Sequence, residues 1–273
     1  MKRLRDLLHD PNAHIPPTWL EQLRRAVAEG PEHAALYDAL FEKARFAGVD
    51  KLVQLLDTVD APKGFGHGET RATGKAIDAA GRPMPWITYP AFHYLDQLDL
   101  SAARVLETGA GNSTLYWGER AREVVTIEHD PKWRQWVTAD LPSNCRVVVT
   151  DESQYAQAFA AEVAADGFDV IVIDGRERYA CTRAAVGRVN AGGFVVLDNS
   201  EWYPNCAAAL RESGLIEVDF AGLGPVVEFS WTTSLFLHPE FRPKPRALPF
   251  PRVSPGQQMI DASDDRPSGG TTV

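Results

Sequence analysis

Residues 105–119, VLETGAGNSTLYWGE, join a short apolar run to an acidic residue and a glycine-rich loop. Gly109 and Gly111 would let the backbone turn sharply and approach a ligand closely. Asn112 and Ser113 follow the loop, and either side chain can cap a helix that begins there. The segment therefore predicts the end of a buried strand, a tight ligand-binding turn and the start of a helix.

Short runs rich in β-branched residues recur on both sides of this loop, with room for a helix between them. These runs are ARVLE, EVVTIEH, CRVVVT, FDVIVID and GFVVLD. Two later runs, LIEVDF and WTTSLFLH, have no helical pattern between them and predict an antiparallel pair at the sheet edge. The pattern predicts a doubly wound α/β fold with a mainly parallel, seven-stranded sheet and an antiparallel last strand.

The chain divides into four zones. Residues 1–60 carry apolar side chains at helical spacing and predict a helical N-terminal extension. Residues 61–85 are rich in glycine and polar residues and predict a flexible loop or linker. Residues 86–238 contain the α/β pattern, and residues 239–273 form a proline-rich tail with too little apolar content to pack.

Composition restricts the partners and the compartment. The chain has 273 residues and a formal net charge of −9, which argues against a nucleic-acid partner or an anionic membrane surface. The three cysteines lack CxxC spacing and predict free thiols. No apolar run has the length of a signal peptide core or a membrane span, so we expect a cytoplasmic protein.

A carboxylate lies at or just beyond the end of each of the first five predicted strands. These residues are Glu107, Glu128, Asp151, Asp174 and Asp198. Asp is an ordinary turn and helix-cap residue, so one or two such positions would mean little. Ligands of open α/β sheets bind at this edge, however, and five carboxylates in order favour a ligand site.

The first three carboxylates indicate a ligand with a ribose, a base and a positive charge. Glu128 lies 21 residues after Glu107 in the sequence. At this separation a carboxylate that ends the second strand can bind ribose hydroxyls. Asp151 can accept a hydrogen bond from an adenine amino group, and Glu107 favours a cation. A nicotinamide dinucleotide competes for this description, but Glu107 would repel its pyrophosphate and Thr114 replaces the third glycine of its motif. S-adenosylmethionine, with a sulfonium, an ammonium and no phosphate, fits better.

The segments ETGAGNST, TIEHD and DVIVIDGRER resemble motif I, the ribose-binding motif and motif IV of class I S-adenosylmethionine-dependent methyltransferases. The resemblance covers roughly residues 86–238 and implies a Rossmann-like fold. It implies that the glycine loop lines the methionine end of the cofactor. It also implies that the carboxylate of the second strand binds the ribose and that the carboxylate of the third strand binds adenine. PMPWITYPAFHYL resembles a bacterial subgroup whose acceptors are mostly unassigned. The predicted cofactor-binding residues are Glu107, Gly109, Gly111, Asn112, Ser113, Glu128 and Asp151.

The region around the fourth and fifth strands is similar to cation-dependent catechol and caffeoyl-type O-methyltransferases. In those enzymes an Asp and an Asp-Asn pair hold a divalent metal, and Asp174, Asp198 and Asn199 match these positions. They are the predicted catalytic residues. A metal is not favoured, because those enzymes have a Lys where this chain has Glu177. In the favoured alternative, Asp174 contacts the cofactor or the acceptor directly.

The predicted function is methyl transfer from S-adenosylmethionine to a small-molecule or sugar-like acceptor, with transfer to oxygen favoured. Arg176 or Arg178 is a candidate to bind an acidic group on that acceptor. Two alternatives stay open, an NAD-dependent oxidoreductase and a catalytically silent protein that binds an adenosyl ligand. No oligomeric state follows from the sequence.

Overall fold

The computed structural model describes residues 64–138, 140–165, 167–227 and 229–253. The predicted helical extension over residues 1–60 and the end of the predicted tail lie outside these ranges. Within them the chain forms a seven-stranded sheet with helices packed on both faces.

The strands follow the predicted runs closely. They are β1 (Arg104–Thr108), β2 (Glu123–Glu128), β3 (Cys145–Val149), β4 (Phe168–Ile173), β5 (Val189–Asp198), β6 (Ile216–Gly222) and β7 (Trp231–Leu237). Their order across the sheet is β3-β2-β1-β4-β5-β7-β6. Strands β1 to β5 pair in parallel, and β7 pairs antiparallel with both β5 and β6. The predicted doubly wound fold with an antiparallel last strand is confirmed.

The described helices are short and alternate with the parallel strands. They are α1 (His67–Thr73), α2 (Tyr89–Leu95), α3 (Asn112–Gly118), α4 (Pro131–Thr138), α5 (Tyr155–Ala165), α6 (Arg178–Ala185) and α7 (Pro204–Glu212). Single 3₁₀ turns cover Glu152–Gln154 and Ser200–Trp202. No helix in the described ranges combines the length and the apolar character that a membrane crossing requires.

The sheet is buried on both faces because successive side chains of each central strand point to opposite sides. In β1, Leu106 joins the core cluster that contains Phe159 of α5. Its neighbour Val105 joins the cluster that contains Leu95 of α2 and Tyr116 of α3. This double burial explains why the strands appear in the sequence as continuous apolar runs.

Residues 64–85 differ from the predicted loop. They contain α1, and Phe65 and Met84 pack with Tyr89 in a small buried cluster. The Phe65 and Tyr89 rings stack with their centroids 4.7 Å apart. The Thr70 hydroxyl is buried and accepts a hydrogen bond from the Val226 N–H at 2.9 Å. The glycine-rich composition concealed this packing because its apolar residues are far apart in sequence.

Residues 239–253 also differ from the prediction that the tail does not pack. This segment has no regular structure, but Phe241 and Phe250 pack against the core cluster on one face of the sheet. Backbone hydrogen bonds join Asp99 N–H to the Lys244 carbonyl at 2.7 Å and Arg246 N–H to the Gln97 carbonyl at 2.8 Å. Paired backbone groups thus hold a segment whose apolar content is low.

A single hydroxyl joins the two central strands at their carboxyl ends. Thr108 ends β1 and is buried, and its hydroxyl donates to the Val172 carbonyl of β4 at 3.2 Å. The same oxygen accepts the N–H groups of Asp174 and Gly175, each at 2.9 Å. Thr108 therefore fixes the backbone that leaves β4.

We expect Thr108→Val to lower the free energy of unfolding by about 1–3 kcal/mol, because it leaves two backbone donors without their acceptor while preserving side-chain shape. Thr108→Ser keeps the hydroxyl and should recover most of this loss. Urea denaturation of the three proteins measures the difference. Equal stability of the Val and Ser variants would contradict the role assigned to the hydroxyl.

Candidate functional site

Four of the five predicted carboxylates come together at the carboxyl edge of the parallel strands. Glu107 lies one residue before the end of β1, and Glu128 is the last residue of β2. Asp198 is the last residue of β5, and Asp174 directly follows β4. Glu107 repels both Glu128 and Asp174, and Asp174 repels Asp198. Asp151 is exposed and begins the 3₁₀ turn after β3.

Glu107 is a buried carboxylate, and its hydrogen bonds within the described residues come from neutral hydroxyls rather than from a cation. Only 1% of the residue is exposed, and one carboxylate oxygen accepts the Thr114 hydroxyl at 2.6 Å and the Thr126 hydroxyl at 3.0 Å. Burial, together with repulsion by Glu128, raises the pKa of Glu107 to about 7, although hydrogen bonds from Ser113, Thr114 and Thr126 oppose the shift. A positive ligand group beside Glu107 would offset this desolvation.

Glu128 organises the backbone around the glycine loop. One carboxylate oxygen accepts the Ala110 N–H at 2.7 Å, and the other accepts the N–H groups of His129 and Asp130 at 2.6 Å. Three charge-assisted hydrogen bonds to backbone donors stabilise the buried charge. The side chain thereby ties the end of β2 to the loop after β1.

The two glycines of the loop have different conformations. Gly109 has a φ of 87°, in the left-handed region that favours glycine. A Cβ there would lie 3.6 Å from the Gly175 Cα, so the loop also passes close to the turn after β4. Gly111 has a φ of 175°, which any residue adopts. The predicted sharp turn thus requires glycine at position 109 but not at position 111.

The start of α3 also differs from the prediction. Gly111 is the N-cap residue, and its N–H donates to the Thr114 hydroxyl at 3.2 Å. The only side chain that caps this helix start in the described structure is therefore Thr114, and the prediction that Asn112 or Ser113 does so is wrong. The Asn112 amide instead donates to the Ala76 carbonyl at 2.5 Å. This contact attaches the glycine loop to the segment that follows α1.

Arg178 occupies the space between the ends of β4 and β5. Its Nη2 donates to the Asp174 carboxylate at 2.9 Å and to the Asp174 carbonyl at 3.2 Å. Its Nη1 donates to the Asp198 carbonyl at 2.6 Å and to the Asn199 side-chain oxygen at 3.2 Å. Its Nε donates to the Gly175 carbonyl at 3.1 Å. All five guanidinium donors are therefore used within the protein.

Asp198 is held by the antiparallel part of the sheet. Its Oδ1 accepts the Trp231 indole N–H at 2.8 Å and the Thr233 hydroxyl at 2.5 Å. Burial raises the pKa of the Asp198 carboxyl, and repulsion by Asp174 raises it further. Burial also raises the pKa of Asp174, although Arg178 opposes that shift. Both carboxylates are thus poised to accept a proton more readily than an exposed Asp.

The residues predicted for a divalent metal do not fit one. The Asp174 carboxylate and the Asn199 oxygen are both directed at the Arg178 guanidinium, which supplies the positive charge between the two strands. The described ranges contain no group of three or more His, Cys, Asp or Glu residues that could hold a metal ion.

The hydrogen bonds to Asp174, to Gly175 and to the end of β5 use all the donors of Arg178, and Arg176 pairs with Glu152. Arg178 therefore has no donor left for an acidic group on an acceptor.

The sequence of this edge matches a known domain. Residues 106–200, about a third of the chain, match the family model described as a methyltransferase domain. This segment therefore has the sequence of a methyltransferase domain. This match confirms the resemblance found in the motifs. It favours a methyltransferase over the alternative of an NAD-dependent oxidoreductase. No curated protein matches the sequence of the methyltransferase.

Several solved structures are similar to the methyltransferase. The precorrin-6y C5,15-methyltransferase of Geobacter metallireducens has 14% identity and a TM-score of 0.40, with 54% of this chain and 87% of that chain covered. The N-methyltransferase NodS of Bradyrhizobium japonicum has 18% identity and a TM-score of 0.39, with 54% and 91% covered. An rRNA methylase of Streptococcus thermophilus has 11% identity and a TM-score of 0.39, with 56% and 99% covered. These names describe different methyl acceptors, so they define none for this chain.

Sequence reasoning missed several residues that shape the site of the methyltransferase. The sequence suggested Arg178 as a binding residue for an acidic group of the acceptor, whereas the structure shows that it links Asp174 to Asn199. A Cβ on Gly175 would overlap the Tyr155 hydroxyl and lie 3.0 Å from the Thr108 carbonyl carbon, so only glycine fits. The Asp-Gly pair directly after a buried strand was the available signal for this tight turn.

The raised pKa of Glu107 predicts that the free energy of unfolding of the ligand-free protein falls as the pH rises. Because its folded-state pKa of about 7 exceeds the unfolded value, the folded chain binds more protons between these two values. The resulting stabilisation is complete below the unfolded pKa and is lost as the pH rises through about 7. Asp174 and Asp198 shift in the same direction. We expect the calorimetric Tm to fall over this window and Glu107→Gln to reduce the fall.

Glu162 offers a matched control for this measurement. Its pKa is lowered by the hydrogen bond from Arg146, so in the folded protein this carboxylate is ionised across the window. Glu162→Gln should therefore keep the wild-type slope of Tm against pH. A wild-type Tm that rises through the window, or an unchanged slope in Glu107→Gln, would contradict the buried-charge description.

Proposed function

We propose that the enzyme transfers a methyl group to a hydroxyl oxygen of a small-molecule acceptor at this carboxylate-rich edge. The observation that carries the proposal is the pair of buried carboxyl groups of Glu107 and Asp198 beside the partly exposed Asp174, which alone of the three receives the Arg178 guanidinium. Such a site attracts the sulfonium and ammonium of S-adenosylmethionine and disfavours a phosphate backbone. A small uncharged acceptor suits it better than a nucleic acid.

The proposed cofactor site uses the carboxylates and the loop in distinct ways. Glu107 would face the positive methionine end, and Glu128 would accept from a ribose hydroxyl with the acceptor site that its three backbone donors leave free. Asn112 would act by holding the loop, because its amide is bonded to Ala76. The proposed cofactor-binding residues are Glu107, Gly109, Gly111, Asn112, Ser113, Glu128 and Asp151. The bound cofactor supplies an electrophilic methyl group.

The proposed catalytic residues have different tasks. Asp174 is partly exposed and would take the hydroxyl proton as the acceptor oxygen receives the methyl group. Asp198 is too enclosed by Trp231 and Thr233 to act first, and repulsion by Asp174 raises its own pKa. The charge of Glu107 raises the pKa of Asp174. Asn199 would position Arg178, which keeps the Asp174 carboxylate in place.

The same proposal covers the organisation of the chain. Residues 86–238 would form the methyltransferase domain, with residues 1–60 as an N-terminal extension. The segment 61–85 would contribute to the domain rather than merely connect to it, because Thr70 and Ala76 bond to residues near the site.

Glu128→Gln tests the cofactor assignment. We expect it to weaken binding of S-adenosylhomocysteine about ten- to a hundredfold, because the loss of charge-assisted hydrogen bonds is worth about 1.5–3 kcal/mol. Isothermal titration calorimetry measures the affinity, and urea denaturation shows whether the variant is still folded. Glu123→Gln, at the opposite end of the same strand, should bind as the wild type does. Unchanged affinity in folded Glu128→Gln would remove this residue from the pocket.

Transfer itself can be tested with labelled S-adenosylmethionine and an extract of small metabolites, followed by identification of the methylated product. We expect labelled hydroxyl compounds, and with the purified acceptor Asp174→Asn should lower kcat about a hundredfold or more. The rate of the wild type should survive EDTA. Label confined to nucleic acid in a total extract would contradict the small-molecule acceptor. Complete loss with EDTA that magnesium restores would contradict the proton-accepting role of Asp174.

A further inference from the structure

Two exposed aromatic side chains lie together beside the acceptor side of the site. Trp202 is 57% exposed and Phe229 is 53% exposed, and their ring centroids are 6.4 Å apart at an interplanar angle of 34°. Trp202 follows directly after the catalytic strand end, since its N–H donates to the Asn199 carbonyl at 2.8 Å. Single exposed apolar residues are common on proteins, but a touching pair of large rings at a ligand-binding edge indicates a contact surface.

This aromatic pair is fixed in position by the residues beneath it. Phe229 packs edge-on against the buried Trp231, with a centroid distance of 6.1 Å, and the Trp231 indole is bonded to Asp198. A Cβ on Gly224 would overlap the Trp231 ring, so the loop before β7 closes tightly around that ring. Two ring contacts and one hydrogen bond thus link the pair to the Asp198 carboxylate.

The loop that carries Phe229 also contains a strained residue. Val226 has a φ of 71°, which a β-branched residue rarely adopts, and its N–H is held by the Thr70 hydroxyl at 2.9 Å. Strain of this kind persists where the surrounding structure imposes it, and it occurs often at ligand-binding sites. The loop conformation is thus set by contacts on both of its sides.

The charges beside the aromatic pair select against anions. Asp174 and Asp198 accept hydrogen bonds, while the five donors of Arg178 are used within the protein and Arg176 pairs with Glu152. A ligand that meets this surface would gain from donating hydroxyl groups, and an anionic group would be repelled. Flat apolar ring faces pack well on Trp and Phe.

We infer that the acceptor is an uncharged, hydroxylated ring compound whose flat face packs on Trp202 and Phe229 while a ring hydroxyl reaches Asp174. This inference rests on the proposed function and adds the chemical class of its acceptor. A phenolic ring and a pyranose both offer a flat apolar face with hydroxyl groups. The two sources share this chemistry, and the test below separates them.

The test uses wild-type enzyme saturated with S-adenosylhomocysteine, whose binding is first established by calorimetry. Saturation-transfer NMR then measures binding of phenol and methyl β-glucopyranoside, each paired with an anionic counterpart, 4-hydroxybenzoate and methyl β-glucuronide. We expect one uncharged ring to bind, which identifies the source, and its counterpart to bind at least about tenfold more weakly. Trp202→Ala and Phe229→Ala should each weaken ring binding about tenfold, because each removes one face of ring stacking.

Ile216→Ala is the matched control. Ile216 is 53% exposed but lies at the opposite end of the antiparallel strands, where it pairs with Leu237. It should leave ring binding unchanged, and all three variants should keep wild-type affinity for S-adenosylhomocysteine. Wild-type enzyme that binds S-adenosylhomocysteine but neither uncharged ring would overturn this inference alone. So would equal binding of the anions, or full ring binding by both aromatic variants. Failure to bind S-adenosylhomocysteine at all would overturn the proposed function as well.

Discussion

Desolvation of carboxylates at the carboxyl ends of the parallel strands is the constraint that organises the rest of the site. Each charge is accommodated differently: Glu128 by backbone N–H groups, Glu107 by threonine hydroxyls, and Asp174 by Arg178. Asp198 relies on an indole and a hydroxyl from β7. These partners are unequal, because neutral hydroxyls compensate a buried charge less well than a guanidinium or several backbone donors. The least compensated carboxylates are therefore Glu107 in β1 and Asp198 at the end of β5.

Arg178 decides how the resemblance to cation-dependent enzymes should be understood. Asp174, Asp198 and Asn199 match the residue types of a metal site, but residue types do not specify what they surround. A guanidinium reached from the first position of α6 satisfies two of these three side chains. It has a fixed fork geometry and cannot exchange with solvent as a metal ion can. The edge therefore has a permanent internal cation, which distinguishes it from the enzymes that it resembles in sequence.

The fold was largely predictable because its strands are continuous apolar runs that end in acidic residues. Parallel pairing follows from the helix-length spacers, and the antiparallel pair follows from the lack of such a spacer before Trp231. The insertion of β7 between β5 and β6 was not predicted, since both orders satisfy the same sequence pattern. The packing of residues 64–85 was missed because Phe65 and Met84 meet only after the chain folds back. Local composition carries no information about such contacts.

The candidate site was predictable in its backbone but not in its contacts. Gly109 was recognisable because a left-handed turn needs glycine, whereas the same argument failed for Gly111, whose backbone is extended. The proximity of the carboxylates follows from the fold. Their partners depend on rotamers and on side chains from elements distant in sequence, such as Thr126 and Trp231. Such pairings arise from packing and have no periodic signature.

The antiparallel insertion of β7 has a consequence for how such an enzyme can diversify. It returns the chain to the carboxyl edge of the parallel strands, where Trp231 at the start of β7 bonds to Asp198 at the end of β5. Under the proposed assignment, β1 to β3 carry the cofactor and β5, β6 and β7 carry the acceptor surface. Mutations in the hairpin can then change acceptor preference with little effect on the cofactor half. The topology would thus place acceptor preference and cofactor binding in separate parts of a single sheet.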